Sequence, residues 1–132
     1  IPVFGNGDID SPEKALEYKN RYGVDGIMIG RGAIGAPWFF RQVKNYFATG
    51  DAGSPPDMSE RIKAVRTHLR HSIEWKGERL GIVEMRRHYA NYFRGLPHFK
   101  EHRLALVTLD NPEALEAKLS EIAERFGEHV FA

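Results

Sequence analysis

Two short glycine-rich segments near the start of the chain combine residues that could bind an anion. The first is Gly5-Asn6-Gly7-Asp8 and the second is Gly30-Arg31-Gly32. A backbone without Cβ atoms can approach an anion closely and direct N–H groups at it, and an arginine adds a charged, planar donor that suits phosphate. One such turn is typical of a simple strand–helix connection. Two of them in succession, one with Arg31, favour an anion site.

A second set of candidate residues lies on a predicted helix further along the chain. Arg87, Asn91 and Arg94 are spaced by four and then three residues, so they share one helix face. Arginines with aromatic neighbours are typical of RNA-binding surfaces, where phosphate contacts and base stacking both contribute. The flanking residues are Arg86, His88, Tyr89, Tyr92 and Phe93.

A simpler interpretation of this helix competes with RNA binding. The aromatic residues could belong to the core, and the arginines could be solvated or paired with Glu78 and Glu84. We expect Tyr89 and Phe93 to be core residues, whereas Tyr92 could lie in the core or on the surface. The Arg87/Arg94 face is therefore the more informative part of the motif.

Charge is distributed unevenly along the chain. The net charge is +1, but residues 60–103 contain eleven Lys or Arg against five Asp or Glu, and five of the six histidines. Such a block indicates either a polyanionic partner or a solvated helical surface. The chain has no cysteine, which excludes disulfides, thiol catalysis and thiolate metal sites within these residues. The composition is that of a soluble intracellular protein, so we expect a cytoplasmic location, no membrane span and no metal.

The two glycine turns each follow a predicted strand. Short apolar runs at Ile1–Phe4 and Gly26–Ile29 flank a helix that starts at Ser11-Pro12 and ends at Gly23. Two strands joined by a helix pair in parallel, which places both turns at the same end of the sheet. In (β/α)₈ barrels that end carries the active site, and the loops after strands 7 and 8 commonly hold a phosphate.

The predicted fold class is α/β, the last two β/α units of a TIM barrel, followed by an all-α helical bundle. A barrel needs about 200 residues or more, so we expect this chain to be the C-terminal piece of a longer protein with six strands upstream. The predicted domains are residues 1–48 for the barrel part, 49–57 for a Gly/Pro-rich linker and 58–132 for the bundle.

Four amphipathic helices are predicted for the bundle. The first is capped by Ser59 and ends at Gly77, and the second runs from about Glu78 to Arg94. A shorter helix covers about His98–Leu106. The last begins at Asp110, with Asp110 and Glu113 placed like a capping box, and ends at Gly127.

Three segments resemble one enzyme family: GNGDI at 5–9, GVDGIMIGRGAIGAPWFF at 23–40 and RRHYANYFRGLP at 86–97. The chain is similar to the C-terminal part of the tRNA-dihydrouridine synthases, which are flavin enzymes with an FMN-binding barrel and a helical RNA-binding domain. Among them it looks most like the bacterial B-type branch. The resemblance covers essentially the whole chain.

This resemblance implies roles for particular residues. The turn beside flavin and substrate would contain Asn6, Gly7 and Asp8, and the turn that holds the FMN phosphate would contain Gly30 and Arg31. The tRNA-contacting surface would include residues of the predicted helix face: Arg86, Arg87, Asn91 and Arg94. The family's catalytic cysteine, flavin-contacting lysine and histidine belong to earlier strands, so we expect no catalytic residue in this chain and no activity of this piece alone.

The reaction implied by the family has two hydride transfers. NADPH reduces FMN, and the reduced flavin saturates the C5–C6 bond of a uridine in tRNA, the partner of the helical domain. The residues by themselves leave two alternatives open. One is another phosphate- or FMN-binding barrel oxidoreductase acting on a small metabolite. The other is a stand-alone RNA-binding helical module.

Overall fold

The computed structural model describes residues 1–132, which form two compact units, Ile1–Ser54 and Pro55–Ala132. The first unit contains β1 (Phe4–Gly5), α1 (Pro12–Tyr22), β2 (Gly26–Ile27), a 3₁₀ turn (Arg31–Ala33) and α2 (Phe39–Thr49). The second contains α3 (Met58–Lys76), α4 (Glu78–Tyr92), α5 (Lys100–Thr108) and α6 (Pro112–Phe126). No helix has both the length and the apolar character needed to cross a membrane.

The two strands pair in parallel, as the sequence predicts. Phe4 lies opposite Gly26 and Gly5 opposite Ile27. The paired strands are shorter than the predicted runs at 1–4 and 26–29. Backbone hydrogen bonds from Asp25 N to Val3 O and from Met28 N to Gly5 O, both 2.8 Å long, continue the pairing at either end.

Helix α1 begins and ends where the sequence places it. The Ser11 hydroxyl oxygen accepts a hydrogen bond from Lys14 N at 3.1 Å, and Pro12 occupies the first turn. Gly23 ends the helix in the left-handed conformation, with φ of 60°. Helices α1 and α2 enclose a small buried core of Ile9, Ala15, Phe39 and Val43.

Helix α3 is capped by Asp57, so the prediction of Ser59 as the cap is wrong. The Asp57 carboxylate accepts from Glu60 N at 2.9 Å, and the Glu60 carboxylate accepts from Asp57 N at 3.0 Å. This reciprocal capping box satisfies two backbone donors at the helix start. Ser59 lies within the first turn and is exposed.

Helix α6 is capped by Asn111 and not by the predicted pair of Asp110 and Glu113. Asn111 Oδ1 accepts from Ala114 N at 2.7 Å, and the Asn111 backbone is extended. The physical reason is Pro112, which occupies the first helical position and has no N–H, so the cap must be the residue directly before it.

The bundle core follows the predicted apolar stripes. Helix α4 ends two residues earlier than predicted, at Tyr92, and α5 starts at Lys100 instead of His98. His98 has a φ of 54°, a left-handed backbone that a helix cannot include. Side chains buried in the core include Ile62, Val65, Leu69, Ile82, Met85, Tyr89, Leu106, Leu115, Leu119, Ile122 and Phe126.

One buried arginine joins three segments of the bundle. Arg61, only 6% exposed, donates from Nε to Pro56 O at 3.0 Å and from Nη1 to Tyr92 O at 3.1 Å. Its guanidinium lies 3.7 Å from the centre of the Phe131 ring. The start of α3, the end of α4 and the C-terminal segment therefore meet at one side chain.

Candidate functional site

The two glycine turns line one pocket at the carboxyl ends of β1 and β2. Its volume is about 370 Å³. Parallel pairing brings the turns together, as the sequence predicts, because strands that run in the same direction end at the same edge. The lining residues are Asn6, Gly7, Asp8, Ile9, Met28, Gly30, Arg31 and Gly32.

An ion pair links the turns. Arg31 Nη2 contacts Asp8 Oδ1, and the side chains are 84% and 72% exposed. An exposed pair of this kind contributes about 0–1 kcal/mol to stability, because solvent screens it. Most of the N–H donors of Arg31 are therefore available to a ligand, which can bind beside the Asp8 carboxylate or replace it.

The glycines of the turns differ in what surrounds them. A Cβ at Gly7 or Gly30 would meet no heavy atom within 4 Å, so both positions open to solvent. A Cβ at Gly32 would lie 2.2 Å from Ile9 O, so Gly32 is required for packing. Gly30 is thus a position where a ligand can approach the backbone closely.

The donor set of this pocket fits a phosphate. The backbone hydrogen bonds of the second turn run from Ala33 N to Gly30 O and from Ile34 N to Arg31 O, so they use the carbonyls of the 30–31 segment and not its N–H groups. Together with the guanidinium of Arg31 they can surround a small anion. Asn6 Nδ2 has a long contact of 3.8 Å to Met28 Sδ, which a ligand can replace at little cost.

The predicted basic face of α4 divides into two parts. Arg94 lies two residues beyond the end of α4, and its Nη2 donates to Asn91 Oδ1 at 2.5 Å. Arg87 is exposed, and its Nε donates to His88 Nε2 at 3.4 Å. The structure thus groups Asn91 with Arg94, and Arg87 with the groove between α3 and α4.

Arg86 has a different environment from the other arginines. It is half-buried, and its Nε is shielded from solvent without a hydrogen-bond partner. Neither acidic residue considered as a partner from the sequence forms an ion pair with these arginines. Glu84 instead lies 3.3 Å from Lys76 Nζ.

The aromatic residues of α4 are in the core. Tyr89 and Phe93 are buried, which confirms the expectation for both. Tyr92, which the sequence left open, is also fully buried, and its hydroxyl lies 2.9 Å from His68 Nδ1. Burial raises the pKa of Tyr92 above its usual range. None of the three rings is available to stack on an RNA base.

A larger pocket between α3 and α4 was not predicted from the sequence. Its volume is about 560 Å³, and it is lined by His68, His71, Trp75, Arg87 and His88 among others. The available signal was the spacing of His68, His71 and Trp75, which places them on one face of α3. The chain contains no group of three or more His, Asp or Glu side chains placed to hold a metal ion.

Two histidines in this pocket stay neutral near pH 7. The ring centres of His68 and His88 are 4.5 Å apart. Burial, followed by the proximity of His68 and Arg87, lowers the pKa of His88 to about 4. Burial, followed by Arg87 and His71, also lowers the pKa of His68. The pocket wall therefore offers uncharged ring nitrogens beside one exposed guanidinium.

Comparison with known proteins decides the family. The dihydrouridine synthase (Dus) family model matches residues 1–127. The chain belongs to the dihydrouridine synthase family. The resemblance to this family that the three sequence segments indicate is confirmed.

Individual relatives agree with the family match. A probable tRNA-dihydrouridine synthase of Rickettsia conorii is 39% identical over 92% of this chain and 37% of its own length. The tRNA-dihydrouridine synthase B of Pseudomonas syringae is 39% identical over 92% of this chain and 36% of its own. The tRNA-dihydrouridine synthase B of Shewanella oneidensis is 45% identical over 70% of this chain and 29% of its own length. The chain spans about a third of the length of the curated relatives it matches.

Proposed function

We propose that this chain is the C-terminal portion of a tRNA-dihydrouridine synthase, which reduces a uridine of tRNA to dihydrouridine in the cytoplasm. The observation that carries this proposal is the family match over residues 1–127, supported by relatives that are named tRNA-dihydrouridine synthases. A role on tRNA also accounts for the excess of positive charge in residues 60–103.

Residues 1–48 would supply the last two β/α units of a (β/α)₈ barrel, residues 49–57 the linker and residues 58–132 the tRNA-binding domain. The parallel pairing of β1 with β2 supports the barrel part. So does Phe4, an apolar residue in a strand that is 67% exposed here. Neighbouring strands of a complete barrel would cover such a side chain.

The pocket at the glycine turns would hold FMN by its phosphate. Backbone N–H groups at Gly30 and Gly7 and the guanidinium of Arg31 would surround the phosphate, while Asn6 and Asp8 would lie at the rim beside flavin and substrate. FMN, when bound, supplies the hydride for the uracil C5–C6 bond after reduction by NADPH. This chain would position the cofactor, and we assign no catalytic residue to it.

The helical domain would dock tRNA through Arg86, Arg87, Asn91 and Arg94. The exposure of Arg87 and Arg94 supports phosphate contacts by these two, whereas Arg86 would contribute from the edge of the core. A uridine can reach a flavin in a barrel only after leaving its RNA stack. Docking at a distance from the reacting base is therefore the role we assign to this domain.

A chimera provides the test. In the Pseudomonas syringae enzyme, the segment that matches this chain would be replaced by the chain itself. We expect the purified chimera to show flavin absorbance and to shift an unmodified tRNA transcript in a gel. A folded chimera that binds tRNA but no flavin would contradict the phosphate site. A folded chimera that binds flavin but no tRNA would contradict the docking role.

A further inference from the structure

The pocket between α3 and α4 has a composition that differs from the rest of the bundle surface. At its edge Trp75, near the end of α3, is 83% exposed, more than any other aromatic side chain of the chain. His68 and His88 form its wall, and Arg87 is exposed beside them. A large exposed aromatic, two imidazoles and a guanidinium thus line one cavity of about 560 Å³.

We propose that this pocket binds a single unstacked nucleotide of the RNA partner, with the base against Trp75 and the phosphate at Arg87. The proposal rests on the proposed function, since it assumes that the bundle docks tRNA. It adds a specific nucleotide-binding site to a surface that would otherwise contact only the RNA backbone.

The size and aromatic character of the pocket support a base as the occupant. A volume of about 560 Å³ falls within the range of about 300–1,000 Å³ that small-molecule sites occupy. Every nucleobase has a π-face, and stacking on an aromatic side chain is the usual way in which proteins hold single-stranded bases. Trp75 is the one aromatic residue at this groove that the core does not bury.

The two imidazoles are held in place and carry no charge at neutral pH. His68 Nδ1 shares a hydrogen bond of 2.9 Å with the buried Tyr92 hydroxyl. His88 Nε2 accepts from Arg87 Nε at 3.4 Å. Neutral rings can lie beside the cation that would hold the phosphate without repelling it.

Two cations and two carboxylates line the pocket, so Arg87 is the local anchor available for a phosphate. Lys76 and Glu84 both line the pocket, but they lie 3.3 Å apart and offset each other. Glu74 also lines the pocket and is exposed at its rim. Arg87 is exposed and forms no ion pair, and its Nε donates to the His88 ring, so its positive charge can be offered to a ligand. A longer polyanion track would need more cations than this groove has.

The experiment uses the full 132-residue chain with Trp38→Phe as the background, so that Trp75 is the single tryptophan. Titration with an unmodified tRNA transcript should quench its fluorescence. Trp75→Ala should lower tRNA affinity by about fivefold to a hundredfold, the effect of losing one stacked base, without changing the salt dependence. Trp75→Phe should retain most of the affinity. Leu104→Ala, which removes an exposed apolar side chain from α5, is the matched control and should have no effect.

The outcomes separate this proposal from the proposed function. If Trp75→Ala binds tRNA like the background and the fluorescence does not change, while loss of Arg87 and Arg94 weakens binding, the tRNA-docking role stands and the nucleotide pocket is wrong. If the chain binds no tRNA under any salt condition, both are wrong. Trp75 is exposed, so its replacement should leave the circular dichroism spectrum unchanged, and the comparison does not depend on altered folding.

Discussion

Arg31 and Asp8 occupy the centre of the proposed cofactor site, one on each glycine turn. Their exposed ion pair joins the two turns but adds little to the stability of the fold, because solvent screens it. Asp8 holds the guanidinium across the two turns, and we expect a bound phosphate to replace Asp8 as its partner. We therefore expect Arg31 to contribute most to phosphate binding at the proposed site.

We expect Arg31→Ala in the chimera to weaken FMN binding by about tenfold to a hundredfold, because a charge-assisted contact contributes roughly 1.5–3 kcal/mol. Arg41→Ala is the control, since Arg41 is an exposed arginine on α2 that does not line the pocket. Titration of the deflavinated proteins with FMN measures the flavin affinity of both variants. Equal flavin affinity of the Arg31 variant and the parent chimera would show that Arg31 does not hold the phosphate.

The stability of the chain should depend on pH through His88. Its pKa is about 4 in the folded chain, against a usual value near 6.5, so the unfolded chain binds more protons between these values. The free energy of unfolding should fall as pH drops through this window, by about 1–2 kcal/mol between pH 7 and pH 5 after solvent screening. Burial lowers the pKa of His88, and His68 and Arg87, which lie beside the ring, also lower it.

The measurement is the free energy of unfolding of the chain in urea at pH 7 and at pH 5. His88→Gln should remove a large part of this pH dependence, because glutamine does not titrate. His98→Asn is the control, since His98 is exposed and asparagine tolerates its left-handed backbone. The same loss of stability at low pH in the His88 variant would mean that other groups cause it.

At the scale of the helices, we expect tRNA phosphates to be bound by Arg87, on α4, and Arg94, two residues beyond its end. Changing both arginines to alanine should lower tRNA affinity across many sequences and reduce the slope of log affinity against log salt by up to about two. The matched double variant Arg21→Ala/Arg41→Ala removes the same charge from the first unit and should have a smaller effect.

Normal tRNA binding by the Arg87/Arg94 variant at every salt concentration would contradict this assignment. The face would then be a solvated helix surface, and the tRNA contacts would have to be sought elsewhere in the bundle. Arg70 and Arg103, both exposed, would be the next arginines to replace.

Helix positions and the Ser11 cap of α1 were predictable, whereas the N-terminal caps of α3 and α6 were assigned to the wrong residues. Apolar spacing located the stripes of α3, α4 and α6, because burial of one face determines where such helices pack. At each misassigned cap the sequence offers two suitable residues close together, as with Asp110 and Asn111. The sequence did contain a signal for each true cap: Glu60 lies three residues after Asp57, and Pro112 directly follows Asn111.

Of the two candidate pockets, one could be predicted from the sequence and the other could not. The glycine-turn pocket was predictable because parallel pairing is a local rule that follows from strand, helix and strand. The α3–α4 pocket was not, because it depends on which side chains of two helices remain uncovered after packing. Trp75 and Tyr92 illustrate this: the chain exposes the first and buries the second, although both are aromatic residues on amphipathic helices.

For the whole molecule, the two units should differ in resistance to proteolysis. The second unit has an extensive core, whereas that of the first consists of four residues, and apolar residues such as Phe4 and Met28 remain exposed. Residues 50–57 contain no helix or strand. Limited proteolysis should cleave there first and leave a stable fragment of about residues 55–132. Uniform resistance across residues 50–57 would contradict this expectation.

The most direct measurement of the central claim is dihydrouridine formation by the chimera. Unmodified tRNA transcript, NADPH and FMN-loaded chimera would be incubated, and the nucleosides would be analysed by mass spectrometry. We predict that a uridine gains two hydrogens, and that the Arg87/Arg94 double variant forms less product at low tRNA concentration. A chimera that retains flavin and binds tRNA but produces no dihydrouridine would contradict the account.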